Sequence, residues 1–160
     1  MALAACVPGS GRDYQVGSNA GQLATLADVP WESLGAGDTV RIFHRTAPYA
    51  GKFLISAAGT AAAPVRICGV KGPNGERPAI TGVGATTRRT LGGTKGTQGS
   101  MVSQYNESRG VIFLSKRTAD VWTSFPNYIQ IDGLKIGGAQ PAHQFTNSFG
   151  VAKTYLAFGA

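Results

Sequence analysis

The sequence of 160 residues predicts an all-β fold laid out as a coil of short parallel strands. Three observations carry that expectation. Gly 23 and Pro 8 make 31 of 160 residues, about 19%, while charged residues are only 14%; an ordinary domain has about 7% Gly and about 25% charge. Coiled coils and long surface helices need many Glu, Lys and Arg, so they are excluded and turn-rich β structure remains. The second observation is that short β-branched runs recur along the chain. The third is that the apolar parity within the clearest run changes at a glycine, which an unbent strand cannot do. An antiparallel sandwich, with turns about every 8–12 residues, is the alternative such a pattern leaves.

Residues 1–21 read as a linker or the remnant of an export signal, being rich in Gly, Ser and Asn from Pro8 to Gly21. Within them Leu3-Ala4-Ala5-Cys6 has the form of a bacterial lipobox, whose cysteine is lipidated after signal cleavage, but only Met1 and Ala2 precede it and no charged or apolar signal region is present. Three readings of Cys6 stand: a lipid anchor, which would be the chain's one route to a membrane; a coincidence of sequence; or a disulfide with Cys68, the only other cysteine. From Gln22 to Leu34, residues Leu23, Leu26, Ala27, Trp31 and Leu34 fall at steps of three and four, the spacing of a short amphipathic helix. Pro30 inside it predicts a break or two shorter turns. Gly35-Ala36-Gly37-Asp38 ends the segment, and Val40-Arg41-Ile42-Phe43 opens an extended run.

That run recurs as Val65-Arg66-Ile67-Cys68 and, in chemical pattern, as Ile129-Gln130-Ile131-Asp132. The last two agree further, Val65-Arg66-Ile67-Cys68-Gly69-Val70-Lys71 against Ile129-Gln130-Ile131-Asp132-Gly133-Leu134-Lys135, at an offset of 129 − 65 = 64. Three turns of about 21 residues would fill that interval, within the range of repeat solenoids. Ala79-Ile80-Thr81-Gly82-Val83 and Val111-Ile112-Phe113-Leu114-Ser115 lie between, and Tyr155-Leu156-Ala157-Phe158 follows as a last strand. The apolar set Ile129 and Ile131, then Leu134 and Ile136, switches parity at Gly133. Glycine reaches positive φ without steric cost, so one strand turns a corner there and continues inward-facing. The expected core is Val40, Ile42, Val65, Ile67, Ile80, Ile129, Ile131, Leu134 and Ile136.

On Gly37-Asp38-Thr39-Val40, Ala79-Ile80-Thr81-Gly82 and Tyr128-Ile129-Gln130-Ile131-Asp132-Gly133-Leu134-Lys135-Ile136, the sequence resembles the right-handed parallel β-helix proteins of the pectate-lyase-like superfamily, over about residues 14–158. The resemblance implies a right-handed, single-stranded parallel β-helix with the Gln22–Leu34 helix as N-terminal cap. Residues 22–160 would then be the cap and first rungs, Thr86 to Arg109 a long loop, and the whole a truncated solenoid. It implies an exported bacterial protein, secreted, periplasmic or surface-attached, that binds or cleaves polysaccharide, acidic polymers among them. If an enzyme, it would be a lyase or glycoside hydrolase with its active site mostly downstream, and calcium enters by the resemblance alone. A non-catalytic β-helical adhesin or surface structural protein is the competing expectation.

The residues themselves encode little chemistry. A net charge of +7 and a pI near 9.8 read first as ordinary surface solvation and, as the functional alternative, suit anionic glycans. Basic residues are scattered and do not interleave with aromatics, so nucleic acid is not expected. Cys6, Cys68, His44 and His143 lack metal-ligand spacing, no Gly-x-Ser-x-Gly elbow occurs, and Gly92-Gly93-Thr94-Lys95-Gly96-Thr97 lacks the phosphate-loop spacing. His44 reads as a rung-edge side chain. Asp132 reads as a corner residue bonding the backbone about Gly133, with Lys135 three further on in the repeat position of Lys71. Trp122, Phe125 and Tyr128 precede the clearest run; packing over a rung edge is the first reading of the three, and sugar stacking on their aromatic faces the functional one. Trp122, Tyr128, Asp132 and Lys135 are therefore the candidate substrate-binding residues, and no catalytic residue is assigned.

Overall fold

The computed structural model describes residues 5–88, 107–114 and 126–157, and these are mostly strands with almost no helix. Strands β1 (Asp13–Val16), β2 (Thr39–Phe43), β5 (Val65–Val70) and β8 (Ile129–Asp132) lie side by side in that order, all parallel. A second parallel sheet joins β3 (Tyr49–Ala50), β6 (Ala79–Thr81) and β9 (Lys135–Gly137), and a third joins β4 (Phe53–Ile55) and β7 (Ile112–Leu114). β10 (Gln144–Thr146) and β11 (Ala152–Thr154) form an antiparallel hairpin.

Side-chain alternation fixes which face is inside. Val16, Val40, Ile42, Val65 and Ile67 are fully buried, while Gln15, Arg41 and Arg66 between them point outward and stay partly exposed. Trp31 and Phe53 stack in the same core, ring centroids 3.8 Å apart, and the indole N–H donates to the Leu26 carbonyl at 2.6 Å. That bond removes the polar cost of burying a tryptophan.

Gly133 turns the corner with φ +69, as its parity switch predicts. Its partner in the preceding pass, Gly69, has no room for a side chain, because a Cβ there would run into the Gly133 carbonyl. Where β5 and β8 pair, Val65 stands opposite Ile129, at the predicted offset of 64. The interval is a single pass rather than three turns of about 21, since the two strands are immediate neighbours. The β2 to β5 register is Val40 opposite Ile67, two residues from the predicted match. A slip of two leaves the inward parity unchanged. After Gly69 the chain takes a detour: β6 and β9 pair as Ala79 opposite Lys135, an offset of 135 − 79 = 56, eight fewer than 64. Lys135 thus stands opposite Ala79 and not in the place of Lys71.

Other expectations change. Residues 13–16 of the supposed linker are β1. In place of an amphipathic helix over Gln22–Leu34 there are two 3-10 turns, Leu26–Asp28 and Trp31–Ser33, either side of Pro30. Their apolar residues Leu26, Val29, Trp31 and Leu34 are buried in the common core. Among the described residues the last strand is Ala152–Thr154, paired antiparallel; residues 155–157 follow it outside any strand and Phe158 lies outside the described residues. Tyr155 is buried, its hydroxyl donating to the Gly82 carbonyl at 2.8 Å. Ile131 and Ile136, expected in the core, are 36% and 47% exposed. Among the described residues no further strand covers β8 and β9.

Cys6 and Cys68 are joined by a disulfide. The sulfur of Cys6 is thereby used, so a lipid on it and this bridge exclude one another. The bridge pins residues 5–12 across the outer face of the first sheet. Arg66 Nη1 donates to the Ala5 carbonyl, Gly9 N–H to Thr39 Oγ1, Gly11 N–H to the Gly37 carbonyl and Arg12 N–H to Asp38 Oδ1. Beneath this strap Cys68 and Thr39 are buried. Structural disulfides belong to oxidising compartments, and among the described residues no helix is long and apolar enough to cross a membrane.

Candidate functional site

At the β1 edge of the first sheet lies a cleft of about 520 Å³, lined among others by Asp13, Tyr14, Gln15, Asn19, Gln22 and Phe43. Its floor follows from strand alternation: Asp13 and Gln15 share the outward face of β1, and Arg41 stands opposite Gln15 on β2. Its rim is the turn after β1, which folds back so that Leu23 N–H donates to the Gln15 carbonyl and Gly17 N–H to the Leu23 carbonyl. Gly21 holds φ +82 in that turn, a region that side-chain-bearing residues rarely enter. The Gln22 carbonyl oxygen of the amide accepts from Asn19 N–H at 3.0 Å, which fixes Gln22 at the rim.

Beside the lining, Arg41 Nε and Nη2 donate to the two oxygens of Asp13 at 2.8 and 2.6 Å, and Gln15 Nε2 donates to Asp13 Oδ2 at 3.0 Å. The Arg41 guanidinium also lies 5.5 Å from the centroid of the Phe43 ring. The hydrogen bonds from Arg41, helped by Gln15, hold the Asp13 carboxyl below its ordinary range against the opposing effect of burial. Asp13 is therefore ionised at neutral pH. It can accept hydrogen bonds from hydroxyl groups, and it has no proton to give as a general acid.

The residues singled out from the sequence sit elsewhere. Trp122 and Phe125 lie outside the described residues. Tyr128 is 55% exposed, with φ 47. Asp132 does not bond the backbone about Gly133 as expected; it takes a two-point ion pair from Arg66, Nε to Oδ2 at 2.9 Å and Nη2 to Oδ1 at 3.2 Å. Lys135 is exposed on β9. Tyr128, Asp132 and Lys135 thus gather about β8, three strand spacings or roughly 14 Å from β1. Arg66–Asp132 and Arg41–Asp13 are the same device on the two edges of one sheet. Calcium does not fit either: each carboxylate is closed by an arginine, and among the described residues no three His, Cys, Asp or Glu groups cluster.

A second feature escaped the sequence reading entirely. Lys52 and Glu107 are buried, at 2% and 0% exposure, and meet through backbone and side-chain contacts that no local motif announces. Compared with protein families, with curated proteins and with solved structures, the chain matches none at a significant level.

Proposed function

We propose that this chain is an exported parallel β-helix protein that binds polysaccharide through the cleft at β1. Support for the β-helix comes from the three parallel sheets, whose strands are drawn from successive passes of the chain. Support for export comes from the disulfide. The observation that carries the ligand class is the cleft lining: Phe43, and Tyr14 whose ring also packs on the core, beside the amides of Gln15, Asn19 and Gln22 and the carboxylate of Asp13. Sugars present C–H faces to aromatic rings and ordered hydroxyls to planar amide and carboxylate groups. The net charge of +7 extends the candidates to uronate polymers. Binding is favoured over cleavage because Asp13, the carboxylate in the cleft, is kept ionised by Arg41.

Affinity electrophoresis of the folded chain in gels containing neutral or uronate polysaccharides tests this. Retardation by at least one polymer is expected, reduced about tenfold in apparent affinity by Phe43→Ala, equivalent to about 1.4 kcal/mol of lost stacking, and unchanged by Tyr128→Ala or Lys135→Ala. Uniform mobility across the panel would remove the glycan reading and leave the adhesin or structural one. Loss on Tyr128→Ala alone would move the site to β8.

A further inference from the structure

Outside the main core, a second buried cluster joins segments far apart in sequence. Lys52 stands opposite Thr87 in a parallel bridge, and Thr86 stands opposite Thr146 in another, so one residue further on Thr87 faces Asn147. The three form a column across adjacent segments, side chains on one face, with exposures of 2%, 2% and 1%. Lys52 and Asn147 are thus two strand spacings apart, roughly 10 Å between backbones. A lysine and an asparagine side chain joined through an amide span about that distance, given ordinary bond lengths.

The surroundings suit a reaction between them. Phe145 and Tyr155 lie 4.4 and 4.5 Å from the Lys52 Nζ, with Phe113 at 5.3 Å. Desolvation in this setting lowers the Lys52 amine to about 8, against the opposing pull of Glu107, so a substantial neutral fraction exists near physiological pH. On Asn147, Oδ1 accepts from the Phe149 and Val151 N–H groups, while Nδ2 has no hydrogen-bond partner despite full burial. An orphaned buried amide nitrogen is costly and calls for a reason. Glu107 lies between the two in the hydrogen-bond network: its backbone carbonyl accepts from Lys52 Nζ at 2.8 Å, its charge acts on the Lys52 amine, and its carboxylate accepts from the N–H and hydroxyl of Ser148, the neighbour of Asn147. Lys52 also donates to the Gly110 carbonyl, which holds the amine at the mouth of the cluster.

The geometry points to an intramolecular isopeptide bond between Lys52 Nζ and Asn147 Cγ, with Glu107 as proton carrier. The neutral amine attacks Cγ and forms the C–N bond. Glu107 takes the proton that the amine sheds and delivers it to Nδ2, and the bond from Cγ to Nδ2 breaks to release ammonia. Lysine amine and asparagine amide give a substituted amide and ammonia; no oxidant, reductant or water enters. The product ties the segment before β4 to the β10–β11 hairpin. It stands independently of any ligand in the β1 cleft.

Mass spectrometry of the intact, reduced and denatured chain decides. The wild type is expected to be lighter than its sequence by one ammonia, and digestion should yield a branched peptide joining Lys52 to Asn147. Lys52→Arg and Asn147→Ala should each restore the full mass, and Glu107→Ala should leave most of the chain at full mass. The wild-type measurement needs no variant to fold. A full wild-type mass after prolonged incubation at pH 8 overturns the proposal. So does an ammonia loss that maps to Asn74-Gly75, where ring closure of an Asn-Gly pair gives the same change.

Discussion

Cutting the tie between Cys6 and Cys68 should cost this chain a large share of its stability. The two cysteines are 62 residues apart. Closing a loop of that size takes about 14 cal/mol/K of entropy from the unfolded chain, about 4 kcal/mol at 25 °C. Cys6→Ala isolates this effect better than a change at Cys68, because Cys68 is fully buried and its truncation adds a cavity. At roughly 2–4 °C per kcal/mol for a chain of this length, the melting midpoint should fall by roughly 8–16 °C. Thermal melts by circular dichroism, with and without reductant, provide the assay. Reductant should bring the wild type down to Cys6→Ala and leave the variant unmoved. A Cys6→Ala midpoint within about 2 °C of wild type would refute the reasoning, and would mean that the backbone bonds from residues 5–12 to Gly37, Asp38 and Thr39 order the strap without help.

Ile67 and Ile131 are direct neighbours across β5 and β8, yet one is fully buried and the other 36% exposed. Denaturant unfolding should therefore show a loss of about 2–4 kcal/mol for Ile67→Ala and about 1 kcal/mol or less for Ile131→Ala. Gly69→Ala should cost about 1–3 kcal/mol through the clash with the Gly133 carbonyl, whereas Gly75→Ala, strained only by its φ of +87 in open space, should cost less; the same unfolding curves rank them. The Asp13 carboxyl is lowered below its unfolded value of about 3.9, so its contribution is present above that pH and is lost as pH falls through the folded value. Melts between pH 6 and about 2.5 should decline less steeply for Asp13→Asn than for wild type, and parallel curves would show that the Arg41 pair contributes nothing measurable.

Much of the strand pattern was legible because register leaves a mark in sequence. Val65–Lys71 and Ile129–Lys135 match residue for residue over their first stretch since each apolar side chain packs on its counterpart in the next strand. Val40–Phe43 could be placed only to within two residues, as any even slip buries the same side chains. β1 went unseen: it is four residues long, flanked by Gly and Ser, and a single one of them, Val16, is fully buried. The segment 22–34 misled because apolar steps of three and four serve 3-10 turns around a proline as well as an α-helix. The cleft was illegible since its floor pairs Asp13 with Arg41 across 28 positions, and the buried cluster more so, its members Lys52, Thr87, Glu107 and Asn147 lying in four separate segments. Cysteine spacing alone leaves Cys6 open, because the bridge depends on residues 5–12 lying across the sheet face that carries Cys68.

Successive strands of the first sheet are 39 − 13 = 26, 66 − 39 = 27 and 129 − 65 = 64 residues apart, and the stacking survives all three. Pairing constrains the strands and the Gly69–Gly133 corner, while the length of the connections between strands is left free. Counted between paired residues, the connection from β5 to β6, which includes residues 71–78, is eight residues longer than that from β8 to β9, and both strand pairs keep their parallel register. Parallel strands paired in this way accept connections of unequal length between them. New sequence enters at a corner, projects into solvent, and leaves the stack beneath it unaltered, so that a surface can be rewritten while the chain that carries it stays the same.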